Sequence, residues 1–209
     1  MTDSKQMIGI LGAHRVGKTF LAREFAESNP TYDFIPTSTS RVFKEMGVDP
    51  KSKLDFETRM TVQEEVLRQA EEQYQMMTSR SILDRTPLDY ATYVLSECFP
   101  SDGADPSPRV MDYVNRCIEL TNEHFAMILV IQPGVEAPDE DGKAKVNLAY
   151  QEHLNMIAQG LLMREEVEVF KAVLPREVLD IEERVESLKD IIRAINQKHN
   201  RNMIEQIVH

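Results

Sequence analysis

The stretch QMIGILGAHRVGKTFLAREFAE, residues Gln6 to Glu27, decides the fold. Its apolar run, Met7 to Leu11, has the length of a buried strand. Gly12-Ala13-His14-Arg15-Val16-Gly17-Lys18-Thr19 follows at once. That octet meets every fixed position of the pattern G-x-x-x-x-G-K-[ST]. Beyond it, Leu21, Ala22, Phe25 and Ala26 recur at helical spacing. Strand, glycine loop and helix in that order are the setting in which the pattern binds anions, whereas a chance glycine turn needs no such setting.

The residue types have direct physical reasons. Gly12 and Gly17 permit backbone conformations that a side chain forbids. The loop amides then converge on phosphate oxygens, and the helix starting near Lys18 aims its positive end at the same point. Lys18 is expected to reach the β- and γ-phosphates of ATP, and Thr19 to place its hydroxyl on Mg²⁺. Without nucleotide the Lys18 side chain is expected to be largely free. Phe20, and His14, Arg15 and Val16 in the variable positions, complete the nucleotide contact, with plain loop decoration as the alternative for His14 and Arg15.

A chain of 209 residues suits a single α/β domain spanning 1–209. Its 42% hydrophobic and 28% charged residues are ordinary for a globular protein. The net charge of −11 argues against broad binding to nucleic acid or to acidic membranes. Cys98 and Cys117, the two cysteines, make neither a disulfide framework nor a zinc motif and read as buried or bystander thiols. MTDSKQ at the start lacks a signal-peptide pattern, and no apolar run approaches the roughly 18 residues of a membrane span. The cytoplasm is therefore the expected location.

Further strands are expected at Tyr32–Thr37, Ser81–Asp84, Ala126–Ile131 and Val167–Leu174. Between them lie expected helices at Arg41–Met46, Leu54–Thr78, from Pro87, at Arg109–Phe125, Leu148–Met163 and Ile181–Lys198, with the residues after His199 read as tail or one more turn. Alternating strands and helices imply a parallel sheet covered on both faces. The stripe Phe56, Met60, Leu67, Ala70, Tyr74, Met77 of the long helix is interrupted by Gln63, which the spacing turns inward.

In the order of these motifs the chain resembles the P-loop kinases of nucleosides and nucleotides, over nearly its whole length. It is most similar to the branch holding the nicotinamide-mononucleotide kinase half of bacterial NAD regulators and small phage-encoded kinases. Gly12 to Thr19, Asp84-Arg85-Thr86 and Asp141-Gly142 carry the resemblance. It implies an α/β three-layer sandwich of the P-loop NTPase type, five parallel strands in the order 2-3-1-4-5, and a lid at about 133–147. It also implies ATP and Mg²⁺ as cofactors.

Asp84 ends the third strand, which in this class lies beside the first. Its carboxylate is expected to hold a Mg²⁺-bound water or to take a proton from an acceptor hydroxyl; a helix cap is the plainer alternative. Arg85 is expected on phosphate, where a guanidinium gives bidentate contacts. In the lid the similar families carry Asp-Gly-x-Arg. Here Asp141-Gly142-Lys143-Ala144-Lys145 replaces the arginine, so Lys143 or Lys145 supplies charge without the fork, unless the segment is only a solvated acidic loop. Acceptor-binding candidates are Ser38 and Arg41 after the second strand, and Arg59 and Gln63 on the long helix. For these the plainer alternatives are a helix start, surface charges and a glutamine bonded to nearby backbone.

The reading is a Mg²⁺-dependent ATP phosphotransferase with Lys18, Asp84, Arg85 and Lys143 in catalytic roles. Thr19 and Asp84 are at the metal, and a small nucleoside or nucleotide is the acceptor. The rivals are a P-loop ATPase or regulatory nucleotide-binding protein without acceptor, and a kinase of a modified base in DNA. GTP recognition through Asn-Lys-x-Asp is not supported, since the fourth strand ends in Gln132-Pro133-Gly134. The stripe Ile181 to Ile195, with Met203, Ile204 and Ile207, is a candidate homodimer surface.

Overall fold

The computed structural model describes residues 7–37, 39–49, 52, 54–77, 80–97, 107–134 and 147–207, with the backbone alone for 107 and for 198–207. Strand β1 (Met7–Leu11) is buried along its whole length and forms the centre of the sheet. On one side it pairs with β3 (Ser81–Leu83), which pairs with β2 (Asp33–Ile35). On the other it pairs with β4 (Phe125–Val130), which pairs with β5 (Phe170–Val173). All four pairings are parallel, and the order is 2-3-1-4-5. Apolar runs without alternation are what a strand covered on both faces requires.

Seven helices appear among the described residues. One face of the sheet carries α3 (Phe56–Gln75), α4 (Pro87–Glu97) and α5 (Ser107–His124) over a core that includes Met60, Leu67, Leu88, Val114 and Leu120. The other carries α1 (Lys18–Ser28) and α7 (Ile181–Ile207), with Leu21, Phe25, Val185 and Leu188 beneath them. The short α2 (Thr39–Glu45) packs on α3, and α6 (Leu148–Leu162) on α4. Gly9 in β1 is required by space: a Cβ there would stand 2.3 Å from the Thr86 methyl, so the glycine lets the start of α4 press against the strand.

The element boundaries differ from the sequence expectation for local reasons. The edge strand β2 is three residues long and stops before Pro36, which has no N–H for a ladder. Helix α3 starts at Phe56 instead of Leu54 because the Asp55 carboxylate accepts from the Thr58 N–H and caps it. In β5, Val167 is tied back to the Arg164 carbonyl in a turn, so pairing begins at Phe170. Helix α7 runs to Ile207, well past the expected end at Lys198. Cys117 is buried and its thiol is pushed up by that burial, as a bystander should be; Cys98 lies outside the described residues. Among the described residues no helix is long and apolar enough to cross a membrane.

Candidate functional site

The loop after β1 has the geometry its sequence implies. A Cβ on Gly12 would lie 2.4 Å from the Ile131 carbonyl oxygen, so only glycine lets the loop leave β1 against the end of β4. Arg15 (φ 60°) and Gly17 (φ 94°) are both left-handed, and such turns direct successive amides to one side. Helix α1 starts at Lys18 with no side-chain cap and no acidic residue in its first turn. Its first N–H groups are therefore open to an anion. Val16 is buried against the loop, while Phe20 is 55% exposed.

Lys18 departs from expectation. It is buried, not free: its ammonium donates to the Gly12 carbonyl and to the Ala13 carbonyl (2.9 Å). It also stands 3.2 Å from Oδ1 of Asp89, an ion pair whose angle is outside hydrogen-bond geometry. The cause is local. Thr86 and Asp89 form a reciprocal cap at the start of α4: the Thr86 N–H donates to Asp89 Oδ2 at 2.8 Å, and the Asp89 N–H donates to Thr86 Oγ1 at 3.3 Å. The cap fixes Asp89 with its second oxygen toward the loop.

The third strand delivers Asp84 to the loop, as its pairing with β1 requires. Thr19 Oγ1 donates to Asp84 Oδ2 at 2.6 Å. The other oxygen, Oδ1, is buried with no hydrogen-bond partner among the described residues. A carboxylate with one oxygen tied to the loop threonine and the other left open fits a hydrated Mg²⁺, which binds through one or two protein groups and keeps waters and phosphate oxygens for the rest. Next in sequence, the Arg85 guanidinium lies 5.4 Å from the centre of the Tyr93 ring.

His14 sits among these charges. Burial, and after it Lys18, Arg85 and Arg15, lower its pKa from the usual 6.5, so the imidazole is neutral at pH 7. Its ring is 5.5 Å from that of Tyr150 on α6. Tyr150 donates its hydroxyl to Glu97 at the end of α4, and Arg59 donates to the same carboxylate. The expected acceptor residue Arg59 is thus joined to the phosphate loop through Glu97, Tyr150 and His14.

Gln63, one turn after Arg59, is buried. The Tyr113 hydroxyl donates to its main-chain carbonyl at 3.1 Å. Its side-chain amide has no hydrogen bond among the described residues. Arg41 faces solvent, 63% exposed, bonded to Gln69 and 3.5 Å from Glu45. Ser38, Lys143 and Lys145 lie outside the described residues.

Sequence reasoning missed Asp89, Glu97, Tyr150, Gln151 and Arg184. The spacing of Thr86 and Asp89 carried a signal, since it is that of a capping box. Gln151 and Arg184 carried none. Gln151 donates to the His14 carbonyl at 2.8 Å from 137 residues away. Arg184 donates to the Val16 carbonyl at 3.0 Å from 168 residues away.

An open cavity of about 480 Å³ lies elsewhere, lined among others by Ile8, Tyr32, Arg80, Phe125, Phe170 and Ile195. It opens at the amino ends of the strands. Ligands of parallel α/β sheets bind beyond the carboxyl ends, where the loop after β1 and its neighbours form the candidate site.

No protein-family model matches the chain, and no characterised protein matches it by sequence. Solved structures do match. A deoxyadenosine kinase from M. mycoides with the products dCMP and dCDP aligns with 90% of this chain and 99% of its own, at TM-score 0.64 and 16% identity. The fold is that of the P-loop kinases. Thymidylate kinase from Candida albicans aligns with 91% of this chain and 92% of its own, at TM-score 0.60 and 14% identity. The NadR protein in complex with NR aligns with 89% of this chain and 51% of its own, at TM-score 0.60 and 15% identity. At such identities the likeness carries the architecture, and the chemistry has to be argued from the side chains.

Proposed function

We propose that the chain is a P-loop phosphotransferase that moves the γ-phosphoryl group of ATP to a small nucleoside or nucleotide. The observation that carries the proposal is the 2.6 Å bond from Thr19 to Asp84, with the second Asp84 oxygen buried and without a hydrogen-bond partner among the described residues. A carboxylate that served only as a helix cap would spend its oxygens on the N–H groups of α4. Here the Thr86 hydroxyl accepts from an α4 N–H, that of Asp89, and Asp84 turns to the loop.

In this reading the loop amides and Lys18 bind the β- and γ-phosphates, Lys18 exchanging Asp89 for phosphate oxygen. Thr19 and Asp84 would hold Mg²⁺, which when bound neutralises charge on the phosphates. The acceptor oxygen forms its bond to the γ-phosphorus as the bond to ADP breaks. Asp84 is assigned as the base for the proton released, and Arg85 and Lys143 as the groups that stabilise charge on the transferring group. Positioning and electrostatics account for nearly all of the catalysis, because phosphoryl transfer needs little else from the protein.

A nucleoside or nucleotide acceptor is supported by Arg59 and Gln63, which bring a cation and a buried amide to the helix beside α4. Kinases of deoxyadenosine and thymidylate share the architecture, which supports the same class of acceptor. The net charge of −11 disfavours a base within DNA. The test is ADP release from ATP and Mg²⁺ with and without a panel of nucleosides and nucleoside monophosphates. Release that depends on an acceptor is expected. Equal release without acceptor would make the chain an ATPase, and none under any condition would leave a binding module.

A further inference from the structure

For loop amides to converge on an anion, the loop carbonyls must point away from it and find donors elsewhere. Here those donors can be named. The Gly12 and Ala13 carbonyls accept from Lys18, and the Gly17 carbonyl accepts from the Leu21 N–H inside α1. The carbonyls of His14 and Val16 are met differently. They are taken from outside the loop by Nε2 of Gln151 on α6 and Nη1 of Arg184 on α7.

Both donors are deeply buried, at 2% exposure for Gln151 and 3% for Arg184. Arg184 is held in place by a second bond, from Nε to the Val178 carbonyl at 2.8 Å. Its Nη1 lies 3.3 Å from where a Cβ on Gly17 would stand, directly behind the left-handed turn. Burial lowers its pKa, yet among the described residues no carboxylate is ion-paired to it. A buried guanidinium without a carboxylate is costly to keep for packing alone. Beside a loop that receives a polyphosphate, the ligand supplies the countercharge.

We propose that Gln151 and Arg184 are positioning residues of the phosphate loop. They hold the His14 and Val16 carbonyls outward from two sides, and Arg184 adds a buried positive charge behind the loop. Without either donor, a peptide unit of the loop is free to rotate its carbonyl toward the phosphates, where it repels them. The inference rests on the phosphate-loop reading and goes beyond it by naming what keeps the loop in shape.

The test measures Kd for ADP and for adenosine on the wild-type chain and on Gln151→Met, Arg184→Met and Arg184→Lys, with thermal melts of each. Both methionine variants are expected to weaken ADP by about tenfold, the effect of one lost hydrogen bond to a loop that must stay fixed. Adenosine binding should hold to within about twofold, and Arg184→Lys should recover part of the loss. In turnover, KM for ATP should rise while KM for the acceptor stays. Variants that melt earlier yet bind ADP as the wild type does would overturn the proposal, as would equal losses for ADP and adenosine. A wild-type chain that binds no ADP would instead sink the phosphate-loop reading itself, so the two failures are distinguishable.

Discussion

Thr19 and Asp84, 65 residues apart in sequence, meet at 2.6 Å where α1 leaves the phosphate loop and β3 ends. The bond needs the parallel pairing of β1 and β3, which sets Gly9 beside Leu83 and so puts the residues that follow each strand at one edge. It consumes one carboxylate oxygen and leaves the other buried without a hydrogen-bond partner among the described residues. Asp84→Asn should therefore lower turnover by at least about a hundredfold while changing ADP affinity severalfold at most, because the amide keeps the shape and loses the charge. Rates measured across a Mg²⁺ titration check this. An unaltered rate with unaltered Mg²⁺ dependence would reduce Asp84 to a structural partner of Thr19.

The Lys18–Asp89 pair makes a stability prediction. Both groups are buried, at 7% and 1% exposure, so removing the cation leaves a carboxylate stranded. Lys18→Met should cost about 3 kcal/mol of folding stability as well as phosphoryl transfer. Lys18→Met combined with Asp89→Asn should regain most of that stability and none of the activity. Urea unfolding of the wild type and the variants supplies the numbers. A single variant as stable as the wild type would show that the pair contributes nothing to folding stability.

The parts of this site that could be read from the chain are those whose signal is local. Gly12 to Thr19 is contiguous, and its spacing alone implies the loop. Asp84 follows the short run Ser81-Ile82-Leu83, and Gln63 breaks an apolar stripe; both are buried where those patterns put them. Lys18 was misjudged because its resting partner comes from the capping of another helix. Gln151 and Arg184 escaped because they bond to main-chain carbonyls, and a carbonyl has no identity in a sequence. Helix ends drifted for the same kind of reason: the Asp55 cap starts α3 at Phe56, two residues after Leu54, where the helix was expected to begin.

His14 gives a pH prediction. Its native pKa is lowered, by burial first and then by Lys18, Arg85 and Arg15, so the native state binds this proton more weakly than the unfolded chain. The associated stability is fully present above the unfolded value of about 6.5 and is lost as pH falls toward the native one. Unfolding free energies at pH 7.5 and 5.5 should thus fall further for the wild type than for His14→Asn. Bound ADP brings negative charge to the same cations and should narrow the difference. Parallel losses in the two proteins would mean that His14 titrates as a solvent-exposed histidine does.

Gln63 is the sharpest test of where the acceptor lies. It sits on α3 one turn beyond Arg59, flanked by the buried Met60, Val66 and Leu67, and α3 packs directly on α4, whose first turn carries the Asp89 cap. Its main-chain carbonyl is engaged by Tyr113, whereas its side-chain amide meets no hydrogen-bonding group among the described residues. In the proposed reading this amide meets a polar edge of the acceptor. Gln63→Leu should weaken acceptor binding by on the order of 1–3 kcal/mol and leave ADP affinity unchanged, since only the acceptor loses a partner. The variant should melt at the same temperature or higher, because a polar group has left an apolar surface. Acceptor KM, ADP Kd and thermal melts on one preparation separate the outcomes. An unchanged acceptor KM would remove Gln63 from the acceptor site, and a marked fall in melting temperature would assign its amide to the fold.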